Sequence, residues 1–333
     1  MTERVAAIDC GTNSLRLLIA DVDPERHLLT DVQRRMEIVR LGQGVDATGR
    51  LAPEALARTM LVLADYAAEI SAAEAKAVRM VATSATRDAA NADEFVTGVL
   101  SAIGVPPEVI SGKQEARLSF AGATAELAGS ELAGSELAGS GPGGSATGAR
   151  PVPPYLVVDI GGGSTEFVLG TDDAGSDLAE ISVDIGCVRL TERYLHSDPP
   201  TSTEVSAATA DIDRALAKVE AAIEVGTART LVGLAGSVTT VTAIALGLPA
   251  YDPARTHHAR ISAVQVHAVT EQLLGQTRAE RAAIGSLHPG RVDVIGAGAL
   301  VLDRLMHRFG FAEYVTSEHD ILDGIAWSIA TNG

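Results

Sequence analysis

The sequence predicts an α/β protein built from two related halves that face each other across a cleft. Three observations carry that expectation. The chain has 333 residues, long for one domain and comfortable for two. Apolar runs of strand length alternate with segments of helical period along most of it. The tract AIDCGTNSLRLL returns as VVDIGGGSTEFV, with Asp159 in the place of Asp9, and both read D-x-G-x-x-S between two apolar runs.

Element by element, VAAIDCG, TNS and LRLLIADV form two apolar runs around a small polar turn, the pattern of a β-hairpin. A helix is expected from about Pro53 to Ile70, where apolar positions recur every three or four residues and Pro53 suits a first turn. AVRMVATSATRD reads as strand, loop and helix start; Asp93 to Ile103 is a helix, VPPEVISG a strand and turn, and KQEARLSFAGATAEL a helix. Three tandem ELAGS copies, Glu126 to Ser140, lead into GPGGSATGARPVPP, the composition of a flexible linker or loop. A neutral repeat expansion explains it, with a hinge or partner-binding role as the alternative. YLVVDIGGGSTEFVLG is then strand, Gly-rich turn and strand, and a long helix runs from about Ser202 to Val225. LVGLAGSVTTVTAIALG gives strand, small-residue turn and helix. Helices over Ala263 to Leu274 and Gly296 to Phe309, a strand from Ala312 to Thr316 and a last helix after Glu318 complete the chain. The expected division is residues 1–125 as domain I with the C-terminal helix of 317–333 returning to it, 126–154 as linker, and 155–316 as domain II.

Composition narrows the function. Hydrophobic residues at 46% allow a sizeable core, and a net charge of −17 disfavours nucleic acid and acidic membrane surfaces as partners. A polyanionic substrate would then need a local basic lining, for which Arg16, Lys113, Arg117, Arg255, Arg260 and Arg291 are candidates. Two cysteines, Cys10 and Cys187, make no disulfide framework and no zinc pattern, which fits a reducing cytoplasm. The start MTERVAAIDC lacks the apolar core of a signal peptide, and no apolar run approaches the ~20 residues that span a bilayer.

The two cassettes carry the chemistry. A glycine-rich turn leaves backbone N–H groups uncovered for an anion. Gly11, Thr12, Asn13 and Ser14 offer such donors in the first turn, and Gly161, Gly162, Gly163 and Ser164 in the second; facing each other, they would clamp two neighbouring phosphoryl groups. Each alone is an ordinary hairpin. No GxxxxGK[ST] loop is present. Asp9 and Asp159 beside phosphate turns are tolerable only with a cation between them, and a hard ion such as Mg²⁺ binds carboxylate and phosphate oxygens together. Otherwise they cap the N–H groups of their own turns. Glu166 is a further ligand or orients water. Arg87, after a strand and a small polar loop, suits a phosphate, though alone it reads as a surface arginine. Glu115, at a helix start, either favours the helix dipole or acts as general base. His257 and His258, with Arg255 and Arg260, suggest a positive rim.

Taken together, IDCGTNSLRLL, VATSATRDAAN, ISGKQEARLSF, VVDIGGGSTEF, GLAGSVTTV, RVDVIGAGALVL and SEHDILDGIA resemble the exopolyphosphatase / guanosine pentaphosphate phosphatase family in its short, two-domain form. The resemblance implies two ribonuclease H-like domains of the actin, sugar kinase and chaperone ATPase superfamily with a cleft between them. It places the catalytic glutamate on Glu115, metal binding and catalysis on Asp159 and Glu166, a phosphate ligand on Arg87, the phosphate turns on Gly11 to Ser14 and Gly161 to Ser164, and the first hairpin's acid on Asp9. The expected reaction is release of orthophosphate from the ends of inorganic polyphosphate with Mg²⁺, or Mn²⁺ in its place; a homodimer is compatible. Hydrolysis of guanosine pentaphosphate at the same site, a kinase or ATPase of the same fold, and a polyphosphate or alarmone sensor with little turnover are the alternatives. The segment SEHDILDG departs from the family's usual C-terminal motif, so the resemblance says little about Asp320 and Asp323.

Overall fold

The computed structural model describes residues 2–129, 151–171 and 178–331. The ELAGS repeat lies outside the described residues from position 130 onward, and so does most of the expected linker; its first residues, 126–129, continue a helix.

Two β-sheets organise the molecule. In the first, β1 (Glu3–Cys10) and β2 (Ser14–Asp23) form the hairpin, β3 (Leu28–Ile38) adds an antiparallel edge, and β4 (Ala77–Ala82) and β5 (Glu108–Val109) follow in parallel, in the order β3-β2-β1-β4-β5. The second sheet repeats the plan. The hairpin of β6 (Tyr155–Ile160) and β7 (Thr165–Gly170) carries β8 (Ala179–Val183) on one side and parallel β9 (Thr230–Leu234) on the other. Beyond β9 lie β11 (Glu313–Thr316) and antiparallel β10 (Arg260–Ser262), giving β10-β11-β9-β6-β7-β8. The long strand β3 was not expected from sequence. Its burial alternates weakly and it includes Arg34, Arg35, Glu37 and Asp31, so the apolar signal that marks a strand is diluted at this sheet edge.

The helices fill the connections. In the first half they are α1 (Val45–Thr48), α2 (Pro53–Ala72), α3 (Ser84–Arg87), α4 (Ala92–Ile103) and α5 (Gly112–Gly129). In the second they are α6 (Cys187–Tyr194), α7 (Ser202–Ala222), α8 (Ala235–Ala245), α9 (Pro253–Thr256), α10 (Ala263–Gly275), α11 (Arg278–Ala282) and α12 (Ile295–Phe309), and α13 (Ile321–Thr331) closes the chain. The small-residue turn expected in LVGLAGSV is not a turn, since α8 begins directly at Ala235 after β9.

Strand parity decides what faces the cleft, because successive side chains point to opposite faces of a sheet. Ala6, Ile8 and Cys10 pack with Leu63 and Tyr66 of α2 and Phe95 and Val99 of α4. Val5 and Ala7 of β1, with Leu18, Ala20 and Val22 of β2, pack instead against Ile321, Leu322 and Ile325 of α13. Asp9 and Arg16 share the parity of this second set. In the other sheet, Tyr155, Val157 and Val168 pack against Ala116 and Phe120 of α5, and Asp159 and Glu166 share their parity. Helix α5 therefore lies between the two acid-bearing faces. It meets α13 without a side chain in the way: a Cβ on Gly122 would fall 1.9 Å from the Asp320 carbonyl oxygen, and one on Gly324 2.0 Å from that of Leu118.

Candidate active site

The two glycine turns meet. A Cβ on Gly162 would lie 2.9 Å from Thr12 Cβ, and one on Gly163 would lie 2.3 Å from Ser84 Oγ and 2.7 Å from Thr12 Oγ1, so only glycine permits the approach. One cleft is lined by Asp9, Gly11 to Ser14, Glu115, Asp159, Gly161, Gly162 and Ser164 together. Gly163, Glu166 and Arg87 stand behind that lining. Gly163 is pressed against Ser84, and Glu166 is buried (1% exposed) beside Asp159. Arg87 donates from Nη1 to the Ile110 carbonyl at 2.8 Å and to Glu115 Oε2 at 3.3 Å.

The turns point their donors outward for a definite reason. The carbonyls of Gly161, Gly162 and Gly163 accept from the N–H groups of Cys187, Val188 and Gly186 at 2.9, 2.8 and 3.2 Å, all at the start of α6. In a planar trans peptide the C=O and the following N–H point in opposite directions. The N–H groups of Gly162 and Gly163 are therefore turned away from α6. In the first turn the carbonyls of Thr12 and Asn13 are likewise taken, by Gly42 N–H and by Val39 and Arg40 N–H. Among the described residues, no protein acceptor pairs with the backbone N–H of Thr12, Asn13, Gly162 or Gly163.

Beneath the turns the internal repeat is broken at one position. Asp9 sits opposite Arg16 in the β1–β2 register, whereas Asp159 sits opposite Glu166 in β6–β7. The first half is thus neutralised internally. Arg16 donates to Asp9 Oδ2 from Nε at 2.9 Å and from Nη2 at 2.6 Å, and its Nη1 bonds Asp320. The second half brings two carboxyls together across neighbouring strands, where Cβ atoms are ~5 Å apart. Asp159 accepts from Ser119 Oγ at 2.7 Å, and Glu166 from Ser182 Oγ at 2.7 Å. Burial pushes Asp159 up to about 6 despite the pull of Arg16, and burial with the charge of Asp159 pushes Glu166 up to about 8. Glu115 is raised well above the usual carboxylate range by burial and then by Glu166, against the pull of Arg87; Asp9 is raised by burial. Asp9 Oδ1 and Glu166 Oε2 are buried with no hydrogen-bond partner.

Several residues of this site were not singled out from sequence. Ser119 follows Glu115 by one helical turn and so shares its face of α5, and Ser182 faces Glu166 through the β7–β8 register; neither pairing is visible before the elements are assigned. Asp320, the partner of Arg16, comes from the far end of the chain. At the start of α8, Ala235 adopts φ 66°, a left-handed conformation that costs an L residue energy. The guanidinium of Arg291 packs there so closely that a Cβ on Gly236 would lie 2.1 Å from it. Of the six basic residues considered for the groove, Arg16 and Arg291 line it. Arg117 pairs with Glu180 and Arg260 with Glu313, while Lys113 and Arg255 are exposed and outside the cleft lining. The rings of His257 and His258 stack at 3.7 Å, and His257 Nδ1 accepts from Glu318 N–H.

Two sheets that share a hairpin-plus-parallel-strand plan, each with its hairpin turn at one shared cleft, define a two-sheet α/β protein with its candidate site between the sheets. The Ppx/GppA phosphatase family profile matches residues 18–135 and 146–332. The chain belongs to that family. It is 50% identical over 338 aligned residues to Exopolyphosphatase 2 of Mycobacterium tuberculosis, covering 98% of each chain. A solved structure described as an exopolyphosphatase-like protein is 40% identical with a TM-score of 0.87, covering 99% of both chains. The Aquifex aeolicus PPX-GPPA enzyme is 30% identical with a TM-score of 0.76, over 98% of this chain and 100% of that one.

Proposed function

We propose that this protein is an exopolyphosphatase, releasing orthophosphate from the ends of inorganic polyphosphate by attack of water on the terminal phosphorus. The observation that carries the reading is the meeting of two turns with unpaired N–H donors directly above buried acids. A row of anions fits the donors, and only a cation makes the acids compatible with it. The name of the Mycobacterium tuberculosis relative supports the same substrate.

The residues fit a hard divalent ion. The donor set is all oxygen, and Glu166 Oε2 and Asp9 Oδ1 are carboxyl oxygens buried without a partner. Among the described residues no three His, Cys, Asp or Glu side chains converge to enclose an ion alone. That suits Mg²⁺, which binds through one or two carboxylates and completes its shell with phosphate oxygens and water. Asp159 and Glu166 would hold it, while Asp9, expected as a third ligand, is paired with Arg16 and joins them in no three-carboxylate cluster among the described residues; Mn²⁺ can take its place. Bound there, it would offset the negative charge of the acids and of the phosphoryl oxygens. The turn N–H groups and the hydroxyls of Ser14 and Ser164 hold and align the terminal phosphoryl group. Glu115 takes the proton from the attacking water. Arg87, expected as a phosphate ligand, stands behind the cleft lining on the Ile110 carbonyl and Glu115, and its role in this reading is to orient Glu115. Arg291 with the start of α8 provides positive potential farther along the groove. We assign residues 1–125 with 317–333 to one lobe and 155–316 to the other. No helix among the described residues is long and apolar enough to cross a membrane; the two buried free cysteines suit the reducing cytoplasm we propose as its location.

The test is phosphate release from polyphosphate of defined length, run beside guanosine pentaphosphate. Release from polyphosphate with Mg²⁺, lost in chelator and restored by the ion, is expected. Tight binding of polyphosphate without turnover in Mg²⁺ or Mn²⁺ would make the protein a sensor instead, and release from the guanosine compound alone would reassign the substrate.

Stability should follow the same acids. With folded values of about 6 for Asp159 and about 8 for Glu166, each binds its proton more tightly in the folded state than in the unfolded chain, where values lie near ~4. Ionising them therefore penalises only the folded state. In chelator, the calorimetric Tm is expected to fall as pH rises from 5 through 8. Added Mg²⁺ should raise Tm more at pH 8.5 than at pH 5. An equal Mg²⁺ effect at both pH values would argue against a site built on these carboxyls.

A further inference from the structure

We infer that Arg189 is a positioning residue that locks the second phosphate turn to the opposite lobe, so that the two turns stay in register through its three-way bound guanidinium. The inference rests on the phosphate-turn reading of Gly161–Ser164 given above.

Arg189 lies in the first turn of α6, whose N–H groups already hold the carbonyls of the second glycine turn. Its own N–H donates to the Gly162 carbonyl at 3.1 Å. The side chain then fans out to three separate elements. Nε donates to the Gly163 carbonyl at 2.7 Å, Nη1 to Asp46 Oδ1 at 2.6 Å and Nη2 to Asp88 Oδ2 at 2.5 Å. Asp46 belongs to α1, and Asp88 caps the C-terminus of α3 immediately after Arg87. One planar group thus joins the second turn, helix α1, and the short helix α3 that carries Arg87. The side chain is 12% exposed and is not part of the cleft lining.

The neighbouring residues of α6 reinforce the same contact. Arg193 donates to both oxygens of Asp46 at 2.6 Å, and Glu192 accepts from Gly44 N–H at 3.1 Å. Arg193 also pairs with Asp211 of α7 at 3.5 Å, whereas Arg189 in this group grips the phosphate turn. A lysine cannot replace it, because a single ammonium lacks the rigid fork that serves three directions at once.

The experiment compares the wild-type full chain with Arg189→Lys and Asp88→Ala. Two readouts are taken: amide hydrogen exchange of peptides covering 183–195, whose amides at 186–189 donate to the carbonyls of the second turn, and steady-state hydrolysis of polyphosphate with Mg²⁺. Exchange at 186–189 should rise about tenfold or more in Arg189→Lys, with α7 and α10 unchanged. Its kcat should fall ~10–100-fold with KM moving much less, since small misplacement of an aligned site costs rate more than binding. Asp88→Ala should move both readouts in the same direction by less. Wild-type exchange at 186–189 in both variants overturns the inference, with or without a change in rate. If Arg189→Lys does not fold, Asp88→Ala decides by the same criteria. If wild-type protein does not hydrolyse polyphosphate, the functional reading fails, and exchange at 186–189 still decides the role of Arg189.

Discussion

Replacing Glu115 with Gln is expected to lower kcat on polyphosphate by ~10²–10⁴ while leaving its binding largely intact. The size follows from the role. Glu115 reaches the cleft from the first turn of α5, is 12% exposed, and sits against Arg87 at 3.3 Å. As a base it must be ionised, yet burial and Glu166 hold its proton on. Arg87 opposes that, and a bound cation would favour the ionised form further. Gln keeps the shape and can still accept from Arg87, but it cannot take a proton. The pH–rate profile of wild type should therefore show an ascending limb that Glu115→Gln lacks. Turnover within a few-fold of wild type would remove Glu115 from the chemistry.

Arg16→Met should be the most destabilising single change at the site. Its guanidinium is 17% exposed and joins two buried carboxylates, Asp9 at 4% and Asp320 at 10%. Removing one member of a buried ion pair costs ~3–5 kcal/mol, because the charge left behind has neither solvent nor partner. The deficit should shrink at lower pH. Burial already raises Asp9 with Arg16 present; without Arg16 it takes up a proton more readily, and the neutral acid is cheaper to bury. Urea unfolding at pH 7.5 and pH 5 measures both effects. A loss below about 1 kcal/mol at pH 7.5, or one that is the same at both pH values, would show that Arg16 is not what makes the two acids tolerable.

The contrast between the halves could be read in part from the sequence. The aligned cassettes place Arg16 against Glu166 two residues after each serine. Strand alternation then puts each on the face of its aspartate. What the alignment could not supply was the second partner of Arg16, because Asp320 is 304 positions away and belongs to a motif that departs from the family pattern. Arg189 was equally hidden. Its sequence neighbourhood, CVRLTERYL, is an unremarkable amphipathic helix, and its meaning comes from Asp46, Asp88 and the Gly163 carbonyl, all distant in the chain. Strand β3 escaped notice because an edge strand with charged residues lacks the apolar signal of a buried one.

By itself the sequence determined the local geometry: hairpins where apolar runs flank small polar turns, helices where apolar residues recur at three and four, and a repeated Asp–Gly–Ser cassette. These follow from short-range sterics and periodicity, which are written in neighbouring residues. Tertiary structure decided which cassette acid is neutralised by arginine and which is buried beside a second carboxyl. It also decided which arginines enter the groove and which are spent on surface carboxylates. Those outcomes depend on burial and on contacts between distant segments, and the energy of a charge is set by what surrounds it in space, not by what adjoins it in the chain.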